Sequence, residues 1–120
     1  MTRLVFGFIV IFNFLRADNQ PPVFIPIELT QDFFSGSKIT LEVEVNDKSI
    51  INDVILYYRF SSNESFTNIS MKKDIFYTGD IPASEVRAGT LEYFFMAIDE
   101  FGNQSIFPEK GEEAPKKYII

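Results

Sequence analysis

The sequence predicts an all-β sandwich of about seven short strands. Three observations carry the prediction. Apolar residues recur with period two in several short runs, and no run follows the helical period. Clusters of Gly, Pro, Asn, Asp and Ser separate those runs at intervals of roughly 8–12 residues. The longest run, from Leu91 to Ile98, is apolar almost throughout and ends in Asp99-Glu100-Phe101-Gly102-Asn103, a turn-forming group.

The first segment stands apart from this pattern. Met1-Thr2-Arg3 opens with a positive charge, Leu4 to Leu15 is apolar except for Gly7 and Asn13, and Arg16-Ala17-Asp18 follows. A basic start, a short apolar core and a small residue at the cut make a secretory signal over residues 1–17, cleaved after Ala17. The core is shorter than the ~20 residues a membrane span needs. Retention as an uncleaved anchor, or burial as a first strand or helix, are the alternatives. Cleavage leaves no membrane insertion and an exported chain, periplasmic, secreted or on the cell surface.

The strands follow in order. Val23–Leu29 forms a first strand broken at Pro26, since proline cannot donate to a ladder. Ser35-Gly36-Ser37 turns the chain. Lys38–Val45 is the clearest half-buried strand, with Ile39, Leu41, Val43 and Val45 facing one way and Lys38, Thr40, Glu42 and Glu44 the other. Asp53–Phe60 places Val54, Leu56, Tyr58 and Phe60 opposite Ile55, Tyr57 and Arg59. Phe66–Met71 is short, with Phe66 expected inward, and Lys72-Lys73-Asp74 is expected to turn. Ile75–Ile81 aligns Tyr77, Gly79 and Ile81, and Ser84–Arg87 is expected to make one helical turn. In the long run, Tyr93, Phe95 and Ala97 are expected in the core. It is read as the penultimate strand, before Ser105–Phe107. Residues 18–108 thus form the domain, and 109–120, charged and containing Gly and Pro, read as a linker or C-terminal tail.

Composition excludes several functions. The chain of 120 residues has no Cys and no His, hence no disulfide framework, no thiolate nucleophile and none of the usual imidazole bases. Residues 1–17 hold two of the 11 basic residues and none of the 17 acidic ones, so the remainder carries a net charge of −8. No basic stripe interrupts it, so no nucleic-acid partner is expected.

Three segments together resemble a known family: Val54-Ile55-Leu56-Tyr57-Tyr58-Arg59, then Tyr77-Thr78-Gly79-Asp80-Ile81-Pro82-Ala83, then Leu91-Glu92-Tyr93-Phe94-Phe95-Met96-Ala97-Ile98-Asp99 with Gly102-Asn103. The set is similar to the immunoglobulin-like, fibronectin type III-like modules of bacterial secreted and cell-surface proteins. It covers roughly residues 47–108, and the 103 residues after the signal suit one such sandwich. The resemblance implies a two-sheet fold and a spacer, docking or surface role beside other domains, with no catalytic residues. Phe94 stands where the family usually has Tyr, which makes the outer face more apolar.

Candidate sites are few. Asp47, Asp53, Asp80 and Asp99 have the oxygen chemistry of calcium ligands, but no contiguous Asp-x-Asp-x-Asp loop is present, and turn capping accounts for them. Glu42 and Glu44 share a strand face, where two solvated acids are the simpler reading than a glycosidase pair. Asn63, Asn68 and Asn103 begin Asn-x-Ser triplets, relevant only in a eukaryotic host. Exposed aromatics are the best binding candidates: Tyr57, Phe94 and Phe101, with Met96 on the same face as Phe94, could meet sugar rings or a partner domain. Tyr57 and Phe94 could equally pack on each other across neighbouring strands, the commoner arrangement. The expectation is a non-catalytic interaction or spacer module without cofactor or metal. Its partner would be an adjacent domain or another surface protein. The alternatives are a carbohydrate-binding module acting on polysaccharide and a small exported enzyme.

Overall fold

The computed structural model describes residues 20–120; the expected signal over residues 1–17 lies outside them. Among the described residues, nine strands form two antiparallel sheets. Sheet I has the order β1 (Val23–Pro26), β2 (Ile39–Asn46), β6 (Tyr77–Ile81), β5 (Lys72–Lys73). Sheet II runs β4 (Thr67–Ser70), β3 (Ile51–Arg59), β7 (Thr90–Asp99), β8 (Gln104–Phe107). The last strand, β9 (Lys116–Ile119), also pairs with β7.

The period-two pattern places the core. Ile39, Leu41, Val43 and Val45 of β2 are buried, and so are Val54, Leu56 and Tyr58 of β3 and Leu91, Tyr93, Phe95 and Ala97 of β7. The sheets meet across these faces. Phe24 of β1 lies 6.2 Å from Phe95 of β7 and 6.0 Å from Phe107 of β8, ring to ring. A Cβ on Gly79 of β6 would come within 3.1 Å of Leu56 Cδ2 and 3.3 Å of Met71 Cγ, so a side chain there would press on both across the sheet gap.

The C-terminal segment differs from the expectation. Residues 109–120 are no free linker or tail, because Lys116–Ile119 pairs with Tyr93–Thr90 of β7 and Gly89 and Ile120 exchange backbone hydrogen bonds at 2.8 and 3.2 Å. β7 is therefore followed by two strands rather than one. Its outer edge takes β8 along Phe95–Ile98 and β9 along Thr90–Tyr93. Residues 108–115 leave the sheet between them and carry the 3-10 turn Gly111–Glu113. Lys72–Lys73 is a two-residue strand on β6, not a plain turn. The helical turn expected over Ser84–Arg87 falls at Ala83–Glu85, as a 3-10 turn. Glu85 accepts a hydrogen bond from the Tyr58 hydroxyl at 2.5 Å. Burial, then that contact with the Glu85 carboxylate, pushes the Tyr58 phenol pKa well up.

Candidate functional site: the aromatic outer face of sheet II

The outer faces of the two sheets differ in chemistry. Sheet I turns Thr40, Glu42, Glu44, Thr78 and Asp80 outward. Sheet II turns Ile55, Tyr57, Phe94, Met96 and Ile98 outward, because these alternate with the core residues of β3 and β7. Directly opposed residues share a face. Ile55 opposes Met96, and Met96 opposes Ile106, so three apolar side chains from β3, β7 and β8 make one row. Ile106 is 43% exposed, and Ile55 and Met96 are half-buried.

Above this row the face is closed. Tyr57 opposes Phe94, and their rings stack with centroids 4.6 Å apart and planes 3° from parallel. Phe66 stands edge-on to Phe94 at 5.0 Å. Phe66 therefore packs outward, not into the core. It precedes β4, whose Thr67 opposes Tyr58, and the next position falls beside Arg59 on the outer face. The Arg59 guanidinium lies 4.0 Å over the Phe66 ring. From Nε and Nη2, at 2.8 and 2.7 Å, Arg59 also donates to Oε1 of Glu92, which is 5% exposed. Its Nη1 donates to the Glu64 carbonyl at 3.1 Å. One arginine thus neutralises a buried carboxylate and ties down the loop that carries Phe66. On the other side the Gly111–Glu113 turn covers Phe94: a Cβ on Gly111 would sit 3.6 Å from Phe94 Cδ2 and 2.9 Å from Ile106 Cγ2. Gly111 also has φ +53°, a region in which a Cβ is strained.

Sequence reading picked out Tyr57, Phe94, Met96 and Phe101. The first three come together on this face. Phe94, however, is only 7% exposed, held under Tyr57, Phe66 and Gly111. Phe101 is 62% exposed but lies in the turn beyond Asp99. At the strand rise of ~3.3 Å per residue, Asp99 alone is about 16 Å along the strand from Phe94. Sequence reasoning missed Ile106, Phe66, Arg59, Glu92 and Gly111. The signals were present for three of them: Arg59 and Glu92 are charges within largely apolar stretches of β3 and β7, and alternation from an inward Phe107 turns Ile106 outward.

Of the four candidate aspartates, Asp47 and Asp99 come together, with the Ser49 hydroxyl 3.1 Å from Asp47 Oδ1 and 3.5 Å from Asp99 Oδ2, while Asp53 and Asp80 lie apart from them and from each other. Asp80 accepts from Thr40 Oγ1 at 2.6 Å on sheet I, and Asp53 accepts from Ser70 Oγ at 3.4 Å on sheet II. Asp99 is 1% exposed and closes its own turn, accepting from the backbone N–H groups of Phe101 and Asn103 and from Asn103 Nδ2, each at 2.9 Å. Burial raises the Asp99 carboxyl pKa, but the hydrogen bonds from Asn103 and Phe101 outweigh it and hold the group below its ordinary value. Among the described residues no three acids are grouped to hold a metal ion, and no helix is long and apolar enough to cross a membrane.

Compared with known proteins, the chain matches no family model, and no curated protein matches it.

Proposed function

We propose that this chain is a non-catalytic interaction module of an exported protein, and that the outer face of sheet II is its binding surface. The observation that carries the reading is the contrast between the two outer faces. One is polar, while the other bears the half-open row Ile55–Met96–Ile106 beside a rigid aromatic cluster. Apolar and aromatic side chains on an ordered sheet, rimmed by Glu109, Lys110 and Glu112, have the make-up of a protein–protein contact with a polar rim. The partner is a neighbouring domain or a second surface protein.

The fold assignment behind this reading is immunoglobulin-like, of the fibronectin type III kind. Its support is the strand order, 1-2-6-5 facing 4-3-7-8, which fits strands A-B-E-D against a sheet centred on C, F and G. Export rests on the first 17 residues. The absence of Cys and His supports a non-catalytic role. Carbohydrate binding is the weaker reading, since a sugar stacks on an open ring face, and the Phe94 ring is enclosed.

The test compares the native complex of the full chain, solubilised from its host, with that of the Met96→Arg and Thr40→Arg variants. Met96→Arg should return the chain to monomer size with its thermal midpoint nearly unchanged, and Thr40→Arg should leave the complex intact. Equal behaviour of the two variants would remove the sheet II face from consideration.

A further inference from the structure

A groove of about 410 Å3 runs between the outer face of sheet II and the 108–115 segment. Solvent reaches its apolar floor: Ile106 is 43% exposed, and Tyr57 and Met96 are half-buried. Phe94 lies beneath, closed over by its neighbours, and gives the floor its rigidity rather than its open surface. The wall of the groove is ordered as well. The Gly111 N–H donates to the Pro108 carbonyl at 2.8 Å, the Glu113 N–H to the Lys110 carbonyl at 3.0 Å and the Ala114 N–H to the Gly111 carbonyl at 3.2 Å. β8 and β9 fix the two ends of this segment on β7. A surface that is ordered before binding loses less freedom when a partner arrives.

That wall is acidic. Glu109, Glu112 and Glu113 line the groove and are exposed, and Lys110 is the one cation among its described lining residues. On the other side of the row Ile55–Met96–Ile106, the next row is Asp53–Ile98–Gln104, which brings a fourth carboxylate to the same face. Among the described residues none of these four acids forms an ion pair. Asp53 accepts a hydrogen bond from Ser70 Oγ at 3.4 Å. Of the other cations on this face, Arg59 is tied to Glu92 and to the Glu64 carbonyl, and Lys117 stands opposite the same Glu92. The apolar strip is therefore flanked on both sides by negative charge that the chain itself does not neutralise.

We infer that the partner at this face is a different protein presenting a basic segment. An apolar side chain of that segment sits on the Met96–Ile106 strip, and its flanking lysines or arginines meet Glu109, Glu112 and Glu113 on one side and Asp53 on the other. The inference rests on the outer face of sheet II being the binding surface. The apolar strip supplies most of the affinity, and the acids supply orientation and speed of encounter. The same charges disfavour a second copy of this chain as the occupant. A two-fold contact through this face would set one acidic patch against another, in a chain already acidic overall.

The test uses the native complex of the full chain, purified from its host, with the dissociation constant read by sedimentation. The triple variant Glu109→Lys/Glu112→Lys/Glu113→Lys is compared with an equal charge change away from the groove, Glu28→Lys/Glu42→Lys/Glu44→Lys, and with Met96→Arg. Three rim pairs of ordinary surface strength multiply to about tenfold. The first triple should therefore weaken the complex about tenfold at about 0.1 M salt, and the second should leave it unchanged within about twofold. Raising the salt to about 1 M shortens the screening length from about 10 Å to about 3 Å. That change should weaken the wild-type complex by a similar factor and leave the first triple unaffected. A photoreactive residue at Met96 should attach to a partner peptide carrying Lys or Arg beside an apolar residue. Glu→Gln at the same three positions is read in the same way where the lysine triple does not fold. Met96→Arg separates the inference from the reading beneath it. If that variant breaks the complex while the first triple and the salt series leave it intact, the basic partner is overturned and the face stands. If Met96→Arg also leaves the complex intact, or the chain is recovered only as a monomer, both fall. A complex made of two copies of this chain, or a cross-link to an acidic peptide or a polysaccharide, overturns the inference.

Discussion

Removing Arg59 should be among the most damaging single changes on the outer face. Its side chain is 16% exposed and that of Glu92 is 7% exposed, with the two joined at 2.7 Å. Arg59→Met leaves the Glu92 carboxylate in place without its counter-charge, a change that costs about 3–5 kcal/mol when the survivor stays buried. It also removes the guanidinium from the Phe66 ring and from the Glu64 carbonyl. Against a total stability on the order of 5–15 kcal/mol, the unfolding midpoint in urea should fall by about 2 M or more. The double variant Arg59→Met/Glu92→Met removes both charges from the same spot and should recover most of that loss, because an apolar pair of similar volume often replaces a buried ion pair at little cost. Urea unfolding of the wild type, both single variants and the double variant forms a complete cycle. A loss below about 1 kcal/mol for Arg59→Met would mean that the pair behaves as a screened surface pair. Additive single losses would mean that the two residues are not coupled. Either result would refute the account of how this face is held together.

Other expectations follow from particular contacts. Gly111→Ala brings a Cβ within 2.9 Å of Ile106 Cγ2 at φ +53°, and should cost about 1–3 kcal/mol in thermal or urea unfolding; Ile106→Ala should relieve the steric share of that cost, and an unperturbed Gly111→Ala would mean that the turn does not rest on this face. Deleting residues 116–120 removes Tyr118 from opposite the fully buried Leu91, and should cost about 2–4 kcal/mol; a truncated chain of unchanged stability would restore the tail reading. Asp99 should contribute acid sensitivity. Its folded pKa is depressed, so its stabilisation is present above the unfolded value of about 3.9 and is lost as pH falls through the folded value. Asp99→Asn should flatten the acid limb of the stability profile below about pH 4, and an identical limb in wild type and variant would contradict this.

Much of the core was legible because burial on one face leaves an alternating record. In β2 the four inward residues are aliphatic and the outward ones polar, so both strand and facing could be read directly. β7 was harder. Both its faces are apolar, and alternation alone cannot say whether the second face is covered. The cover comes from residues distant in sequence, Phe66 in one loop and Gly111 in another, and no local pattern records where a loop will settle. β9 was missed because it begins with Lys116-Lys117 and follows a Gly- and Pro-containing stretch, which has the composition of a linker. Its strand character comes from the free edge of β7, not from its own propensity. β5, with only Lys72 and Lys73, carried no periodic signal at all. The candidate site was half legible for the same reasons: Tyr57, Phe94 and Met96 alternate visibly along two strands, whereas Ile106 enters the row only through the register of β8.

The most direct measurement of the central claim is site-specific photo-crosslinking in the native host. A photoreactive residue is placed in turn at Ile55, Met96 and Ile106 on sheet II, and at Thr40, Glu42 and Thr78 on sheet I. The account predicts one discrete cross-linked protein from all three sheet II positions, lost when Arg59→Met loosens the face, and none from the sheet I positions. Cross-links from sheet I alone, or from both faces equally, would contradict it.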